Sequence, residues 1–196
     1  MPPETVAKFN KEVAEFFLKK AKKEKADEKL QMFCIDKAIG FITEKDHLKI
    51  VSEWILTGKV SFGDEEIKVE LTADQKYQVI KSYWASPHFT LDEKKALRTK
   101  ALEGDGSDNA MIVSKVCEWS LPDQELKKKL WSEITDLSSK EALKELNLKM
   151  QGFWQRRQQL DLIEPYFDQY YSILEKVVEV REREFAESFM LSLIHI

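Results

Sequence analysis

Two helix-start signals lie close together in residues 71–104, which read LTADQKYQVIKSYWASPHFTLDEKKALRTKALEG. Thr72 is followed by Gln75, and Thr90 by Glu93, at the spacing of a capping box. A Ser-Pro pair ends the first helix, because the residue before proline avoids helical backbone angles, and a glycine follows the second helix. The stretch therefore predicts two successive helices joined by a short turn.

The helical pattern continues from this stretch in both directions. Residues 59–71 interrupt it, and they predict either a short hairpin or an extended loop. We therefore expect an all-α fold with about nine helices and no substantial sheet. Apolar residues recur at the three- and four-residue intervals of a helix face in residues 6–17, 30–42, 48–55, 77–84, 97–102, 110–119, 126–134, 143–150 and 167–189.

The spacing of these helices predicts their arrangement. A pair of them occupies about 30–35 residues, which is typical of helical solenoid repeats. We expect a curved α-solenoid of HEAT-like helix pairs whose end faces are unusually apolar, since the terminal repeats of such arrays otherwise carry polar caps. Residues 1–190 are interpreted as a single helical-repeat domain. Residues 191–196, LSLIHI, depart from the helical pattern and are interpreted as a non-native tail.

Composition supports the helical interpretation and excludes several classes of protein. The 196 residues include only six glycines and five prolines, about half the average usage. The net charge is −4, from 31 basic and 35 acidic residues, which argues against a nucleic-acid-binding module or a basic membrane-surface module. Aromatic residues make up 11% of the chain, which argues against disorder.

The cysteines and the apolar runs bear on location. Cys34 and Cys117 lie far apart on apolar helix faces and are interpreted as free thiols of a reducing compartment. No apolar run approaches the roughly 20 residues that a membrane span needs, and the first residues lack the basic and apolar regions of a signal peptide. We therefore expect a cytoplasmic location and no membrane span.

The sequence contains no recognisable catalytic or metal-binding set. His47, His88 and His195 are widely separated and form no H-E-x-x-H pair, and two distant cysteines make no zinc site. Glycines in the 104–106 turn lack the lysine and serine of a phosphate-binding loop. We expect no catalytic residue, no metal ligand and no cofactor in this segment.

One segment concentrates candidate binding residues. Residues 150–160, MQGFWQRRQQL, place two aromatic residues and two arginines just after a helix that we expect to stop at Gly152. In one interpretation Phe153 and Trp154 pack in the core and the arginines face solvent. In the other, the turn presents Arg156 and Arg157 to a carboxylate, whose geometry matches the guanidinium group.

The same segment carries a family resemblance. Its Gly-Phe-Trp-Gln block, residues 152–155, and the Ile-Glu-Pro-Tyr block of residues 163–166 resemble the closing part of the C-terminal helical domain of aminopeptidase N type zinc metallopeptidases. That family includes the puromycin-sensitive and endoplasmic-reticulum aminopeptidases. The resemblance covers most of residues 15–189 and includes Asp27–Gln31, Leu71–Tyr77, Phe167–Tyr171 and Arg181–Glu184.

The resemblance implies a non-catalytic role within a larger enzyme. Members of the family remove N-terminal residues from peptides. They hold zinc through an H-E-x-x-H helix and a downstream glutamate, and a G-x-M-E-N motif grips the amine of the substrate. Neither motif occurs in this sequence, so no catalytic residue is carried over and the segment alone is expected to be inactive. The implied partners are a catalytic domain in the same chain, which would hold Zn²⁺, and a peptide.

Within such an enzyme this domain would cap the active site and line the peptide-binding chamber. Arg156 and Arg157, with Gln155 and Tyr166, are then the candidates to bind the C-terminal carboxylate of the peptide. The alternative is a free-standing helical-repeat scaffold that binds a protein partner, since solenoids present concave binding surfaces.

Overall fold

The structure, a computed structural model, describes residues 3–24, 27–62, 65–67, 70–155 and 157–192. Within these residues the chain forms eleven α-helices, a 3-10 turn at Glu164–Tyr166 and a short hairpin. The fold is therefore all-α, as expected. The helices are α1 (Pro3–Lys23), α2 (Glu28–Phe41), α3 (Lys45–Thr57), α4 (Ala73–Ala85), α5 (Leu91–Ala101), α6 (Asp108–Trp119), α7 (Gln124–Ile134), α8 (Leu143–Phe153), α9 (Leu160–Ile163), α10 (Phe167–Val180) and α11 (Arg183–Ser192).

The contacts divide the chain into two compact units, residues 1–110 and residues 111–196. Each unit has its own cluster of buried apolar side chains. The first unit contains α1 to α5 and the hairpin, and the second contains most of α6 and all of α7 to α11. The single domain over residues 1–190 and its curved solenoid arrangement stay predictions.

Local side-chain chemistry sets the helix starts in the first unit. The Thr72 hydroxyl accepts the amide hydrogen of Gln75, and the Gln75 side chain accepts that of Thr72. Thr90 and Glu93 form the same reciprocal pair at the start of α5. Both capping boxes are thus confirmed. Glycine ends the helix α3. Gly58, at its C-terminal end, has a positive φ of 72°, which a glycine adopts at little cost.

The break in the helical pattern is a hairpin rather than an extended loop. Strands β1 (Val60–Phe62) and β2 (Glu65–Ile67) pair antiparallel. Val60 lies opposite Ile67, and Phe62 lies opposite Glu65. The Trp54 indole of α3 donates a hydrogen bond to the Ser61 carbonyl at 2.8 Å. This bond ties the hairpin to the helix before it.

The first two helices pack together and leave aromatic side chains outside. Ala14 and Ala21 of α1 are buried with Cys34 and Ala38 of α2 in the core of the first unit. Small residues at these positions let two helices approach closely. Three large apolar side chains of these two helices are more than half exposed, namely Phe9 (53%), Phe16 (61%) and Phe33 (51%).

The expected continuous last helix of the second unit is wrong. The sequence predicts one helix over residues 167–189, whereas α10 ends before Arg181, whose backbone is extended, and α11 begins at Arg183. The interruption, together with the short α9, explains why more helices are present than expected. Arg181 leaves the helix because its Nη1 donates to the carbonyls of Asp136 and Ser139, at 2.9 and 3.1 Å.

Candidate functional site

The Phe-Trp block lies at the centre of the core of the second unit. Phe153 and Trp154 are fully buried. The ring of Trp131 in α7 stacks on Phe153 at a centroid distance of 5.5 Å and meets Trp154 edge-on at 6.1 Å. Tyr170 of α10 meets Trp154 edge-on at 5.7 Å. The core interpretation of the two aromatic residues is therefore confirmed.

Hydrogen bonds join the last helix to this aromatic cluster. The Trp154 indole donates to the Ser192 hydroxyl at 3.0 Å, and that hydroxyl donates to the Phe189 carbonyl at 2.7 Å. The Tyr170 hydroxyl also reaches the carbonyls of Phe189 and Met190. Of the expected tail, Leu191 and Ser192 continue α11, and residues 193–196 lie outside the described residues.

Gly152 is a packing glycine and does not end the helix. It lies inside α8, which continues to Phe153 and has Trp154 as its C-cap. A Cβ atom on Gly152 would lie 2.4 Å from the Cβ of Trp119 and 3.0 Å from its carbonyl carbon. The expected helix stop at Gly152 is thus wrong, and the glycine is required because α8 passes so close to the end of α6.

A buried lysine links three helices beside this glycine. Lys127 of α7 is fully buried, and its Nζ donates to the carbonyls of Gly152 (2.7 Å), Phe153 (3.2 Å) and Trp119 (3.4 Å). Burial lowers the pKa of Lys127 to about 7. The carbonyls lie at the C-terminal ends of α8 and α6, where the helix dipole favours a positive charge. The group is therefore a structural clamp between helix ends.

A second lysine of this unit is held by two carboxylates. Lys149 of α8 is largely buried, and its Nζ lies 2.8 Å from a Glu133 oxygen and 2.6 Å from a Glu141 oxygen. Burial acts to lower the pKa of Lys149, but the hydrogen bonds to the two glutamates outweigh it and raise the pKa. Lys149 and the two glutamates therefore form a structural ion-pair cluster.

The candidate peptide-binding residues are only partly placed by the structure. The Gln155 side chain is half-buried and donates to the carbonyl of Gln151, in the helix α8 that precedes it, at 2.6 Å. Arg157 is exposed in the turn after α8, and Arg156 lies outside the described residues. The Tyr166 ring is half-buried and lies 5.2 Å from that of Phe153. Burial, and then the carboxylate of Glu125, raise the pKa of Tyr166.

Sequence reasoning missed the buried polar residues of this region. Gln159 is buried, and its amide donates to the Ser120 carbonyl at 2.6 Å. The burial of Lys127 could have been predicted from the sequence. Lys127 lies three, four and seven positions before Leu130, Trp131 and Ile134, on the apolar stripe of α7. A lysine on such a stripe indicates that its ammonium group is buried with hydrogen-bond acceptors.

The described part of the chain shows no metal-binding cluster and no membrane-spanning helix. It contains no group of three or more His, Cys, Asp or Glu side chains placed to hold a metal ion. None of its helices combines the length and the apolar character that a membrane crossing requires. Cys34 and Cys117 are both buried and form no disulfide with each other.

Comparison with known proteins adds no assignment. No protein-family model matches the chain, and no curated protein matches it either.

Proposed function

We propose that this chain is a C-terminal, non-catalytic helical domain of an aminopeptidase N type zinc aminopeptidase. The observation that supports the proposal most is the Phe-Trp-Gln block, because the resemblance is most specific there and two of its residues, Phe153 and Trp154, are central to a core. In this proposal the domain caps the active site and lines the chamber that holds the peptide. Zn²⁺ belongs to the catalytic domain, and the enzyme is cytoplasmic.

The proposal gives the exposed turn after α8 a role in substrate binding. Arg156 and Arg157 bind the C-terminal carboxylate of a peptide whose N-terminus is held at the metal, and Gln155 and Tyr166 flank them. In the full enzyme, Arg156→Ala and Arg157→Ala should then raise KM for peptides of several residues. Single amino-acyl reporters should be unaffected, because they are too short to reach the turn. Lys128→Ala, an exposed change on α7, is the matched control.

The reading frame that surrounds this chain in its source transcript tests the proposal. We expect an H-E-x-x-H motif, a downstream glutamate and a G-x-M-E-N motif upstream, in the same frame. A frame without these motifs would contradict the aminopeptidase proposal.

A second candidate function is a helical-repeat scaffold that binds a protein partner. The observation that favours it is the exposure of Phe9, Phe16 and Phe33 on α1 and α2, since contiguous apolar surface often marks a protein-binding site. Phe17 connects two of them, with ring centroids 5.2 Å from Phe16 and 6.4 Å from Phe33. The same reading frame distinguishes the two candidate functions, because the frame of a scaffold would encode further helix pairs and no zinc motif.

A further inference from the structure

A cavity of about 270 Å³ opens in the second unit, outside the aromatic cluster. It lies between the loop that precedes α8 and the corner at which α10 meets α11. The residues that matter for its chemistry are Ser139, Lys140, Glu141, Arg181, Glu182 and Phe185. Apolar spacing in the sequence predicts a continuous helix at this corner, where the structure has the break between α10 and α11.

The guanidinium group of Arg181 is held in a fixed position at this cavity. Its Nη1 donates to the carbonyls of Asp136 and Ser139, and its central carbon lies 4.3 Å from the centroid of the Phe185 ring. A guanidinium group has five N–H donors in a planar fork. Among the described residues, Nε and Nη2 of Arg181 make no hydrogen bond, so one edge of the fork remains available at the cavity.

Charged side chains of both signs lie at the cavity. Lys140 is exposed beside Arg181. Glu141 shares one lysine with a second glutamate, and Glu182 stays exposed at the rim. Hydrogen bonds with Ser138, and then the charge of Arg181, lower the pKa of the Asp136 carboxylate. Because these carboxylates lie nearby, a monoanion suits Arg181 and Lys140 better than a phosphate dianion, which the carboxylates would repel more strongly.

We propose that this cavity binds a carboxylate, held by the open edge of Arg181 in the bidentate geometry that guanidinium and carboxylate groups share and by the ammonium group of Lys140. Phe185 supplies an apolar wall beside the carboxylate. The carboxylate belongs either to the C-terminus of a peptide or to a small organic acid, and it is distinct from the carboxylate assigned above to Arg156 and Arg157. The site does not depend on the aminopeptidase proposal, since it uses only residues of the second unit.

Calorimetric titration of the whole chain tests the site with three probes. These are sodium acetate, an N-acetylated tripeptide with a free C-terminal carboxylate, and the same tripeptide as its C-terminal amide. We expect the free-acid peptide to bind at least about tenfold more tightly than the amide, equivalent to about 1.4 kcal/mol. In amide NMR spectra the shifts should centre on residues 139–141 and 180–182, and not on the turn after α8. Acetate that binds as well as the peptide acid identifies a small-acid site.

Three variants locate the binding. Arg181→Gln should abolish binding of the free-acid peptide, and Lys140→Glu should weaken it at least about tenfold. Lys128→Ala, exposed on α7 and outside the cavity, should bind as the unchanged chain does. Because Arg181→Gln also removes two bonds to the loop, circular dichroism checks its folding, and Lys140→Glu decides the question if Arg181→Gln unfolds. Equal binding of acid and amide, no binding of any probe, or unchanged binding by Lys140→Glu would overturn the proposal.

Discussion

The amine of Lys127 makes the second unit sensitive to pH. In the folded chain burial lowers its pKa to about 7, from an ordinary value of 10.5. Between these values the unfolded chain holds a proton that the folded chain lacks, so the free energy of unfolding rises as the pH increases through this window. The slope is at most about 1.4 kcal/mol per pH unit. Below pH 7 both states are protonated and the contribution of Lys127 is constant.

Urea unfolding between pH 6 and pH 10 measures this contribution. Lys127→Met keeps a long side chain without the ionisable group, so its unfolding free energy should lack the extra rise with pH. Other titrating groups are common to both proteins and cancel in the difference. If the unfolding free energies of the unchanged chain and of Lys127→Met change in parallel over the whole pH range, Lys127 has the same pKa in the folded and unfolded chains.

The close approach at Gly152 predicts that alanine is not tolerated there. Its Cβ would lie 2.4 Å from the Cβ of Trp119, and forcing extra atoms into a packed core costs about 1–3 kcal/mol. We therefore expect Gly152→Ala to lower the free energy of unfolding by this amount, despite the better helix propensity of alanine. Gly106→Ala is the control, because nothing lies within 4 Å of a Cβ there. Equal stabilities of the two variants in urea would contradict the packing role.

At the scale of the residue, helix caps could be predicted from the sequence, whereas contacts between residues far apart in the chain could not. Thr72 and Thr90 were identifiable as caps because both partners of each box lie within four residues of sequence. The clamp at Lys127 depends on carbonyls 25 and 26 residues away, and no local pattern encodes such a distance. The carboxylate-binding roles of Arg156 and Arg157 stay predictions.

At the scale of the element, the start of α5 offers a direct test of capping. Thr90→Ala removes the hydroxyl that accepts the Glu93 amide hydrogen, and loss of such a cap costs about 0.5–2 kcal/mol. Thr99→Ala, exposed in the interior of the same helix, should be neutral or slightly stabilising because alanine favours helix. Thermal unfolding of both variants measures the difference. A Thr90→Ala variant as stable as Thr99→Ala would show that the box contributes nothing.

Helix boundaries that depend on contacts with other segments were harder to predict than those set by local caps. Apolar spacing runs through Leu174, Val178 and Phe185 without a gap, so periodicity alone could not reveal the break at Arg181. The sequence of residues 138–141, SSKE, predicts a helix cap. This prediction is wrong, because α8 begins at Leu143 and Ser138 bonds to the Asp136 carboxylate. In each case a contact within the loop or between distant segments decides the boundary.

At the scale of the whole molecule, the fold class follows from composition and periodicity, whereas function rests on one short block of resemblance. Few glycines and prolines and many apolar stripes sufficed to predict an all-α chain. The division into two units has no counterpart in the sequence, because the boundary at residues 110 and 111 falls inside the apolar stripe of α6.

The isolated chain should have no zinc-dependent activity. The proposal assigns the metal to a catalytic domain, and a catalytic zinc needs three protein ligands and an open position. We expect the purified chain neither to bind zinc tightly nor to release a fluorophore from amino-acyl reporters. Chelator-sensitive release well above a mock preparation would show that this segment carries its own active site.

The most direct test of the central claim is the activity of the polypeptide that contains this chain in its source cells, purified with an antibody raised against residues 71–104. We expect a polypeptide much larger than the 23.0 kDa of this chain. It should release N-terminal residues from peptides, lose this activity with a chelator and regain it with Zn²⁺. A purified polypeptide of 23.0 kDa, or a larger one without chelator-sensitive aminopeptidase activity, would contradict the aminopeptidase proposal.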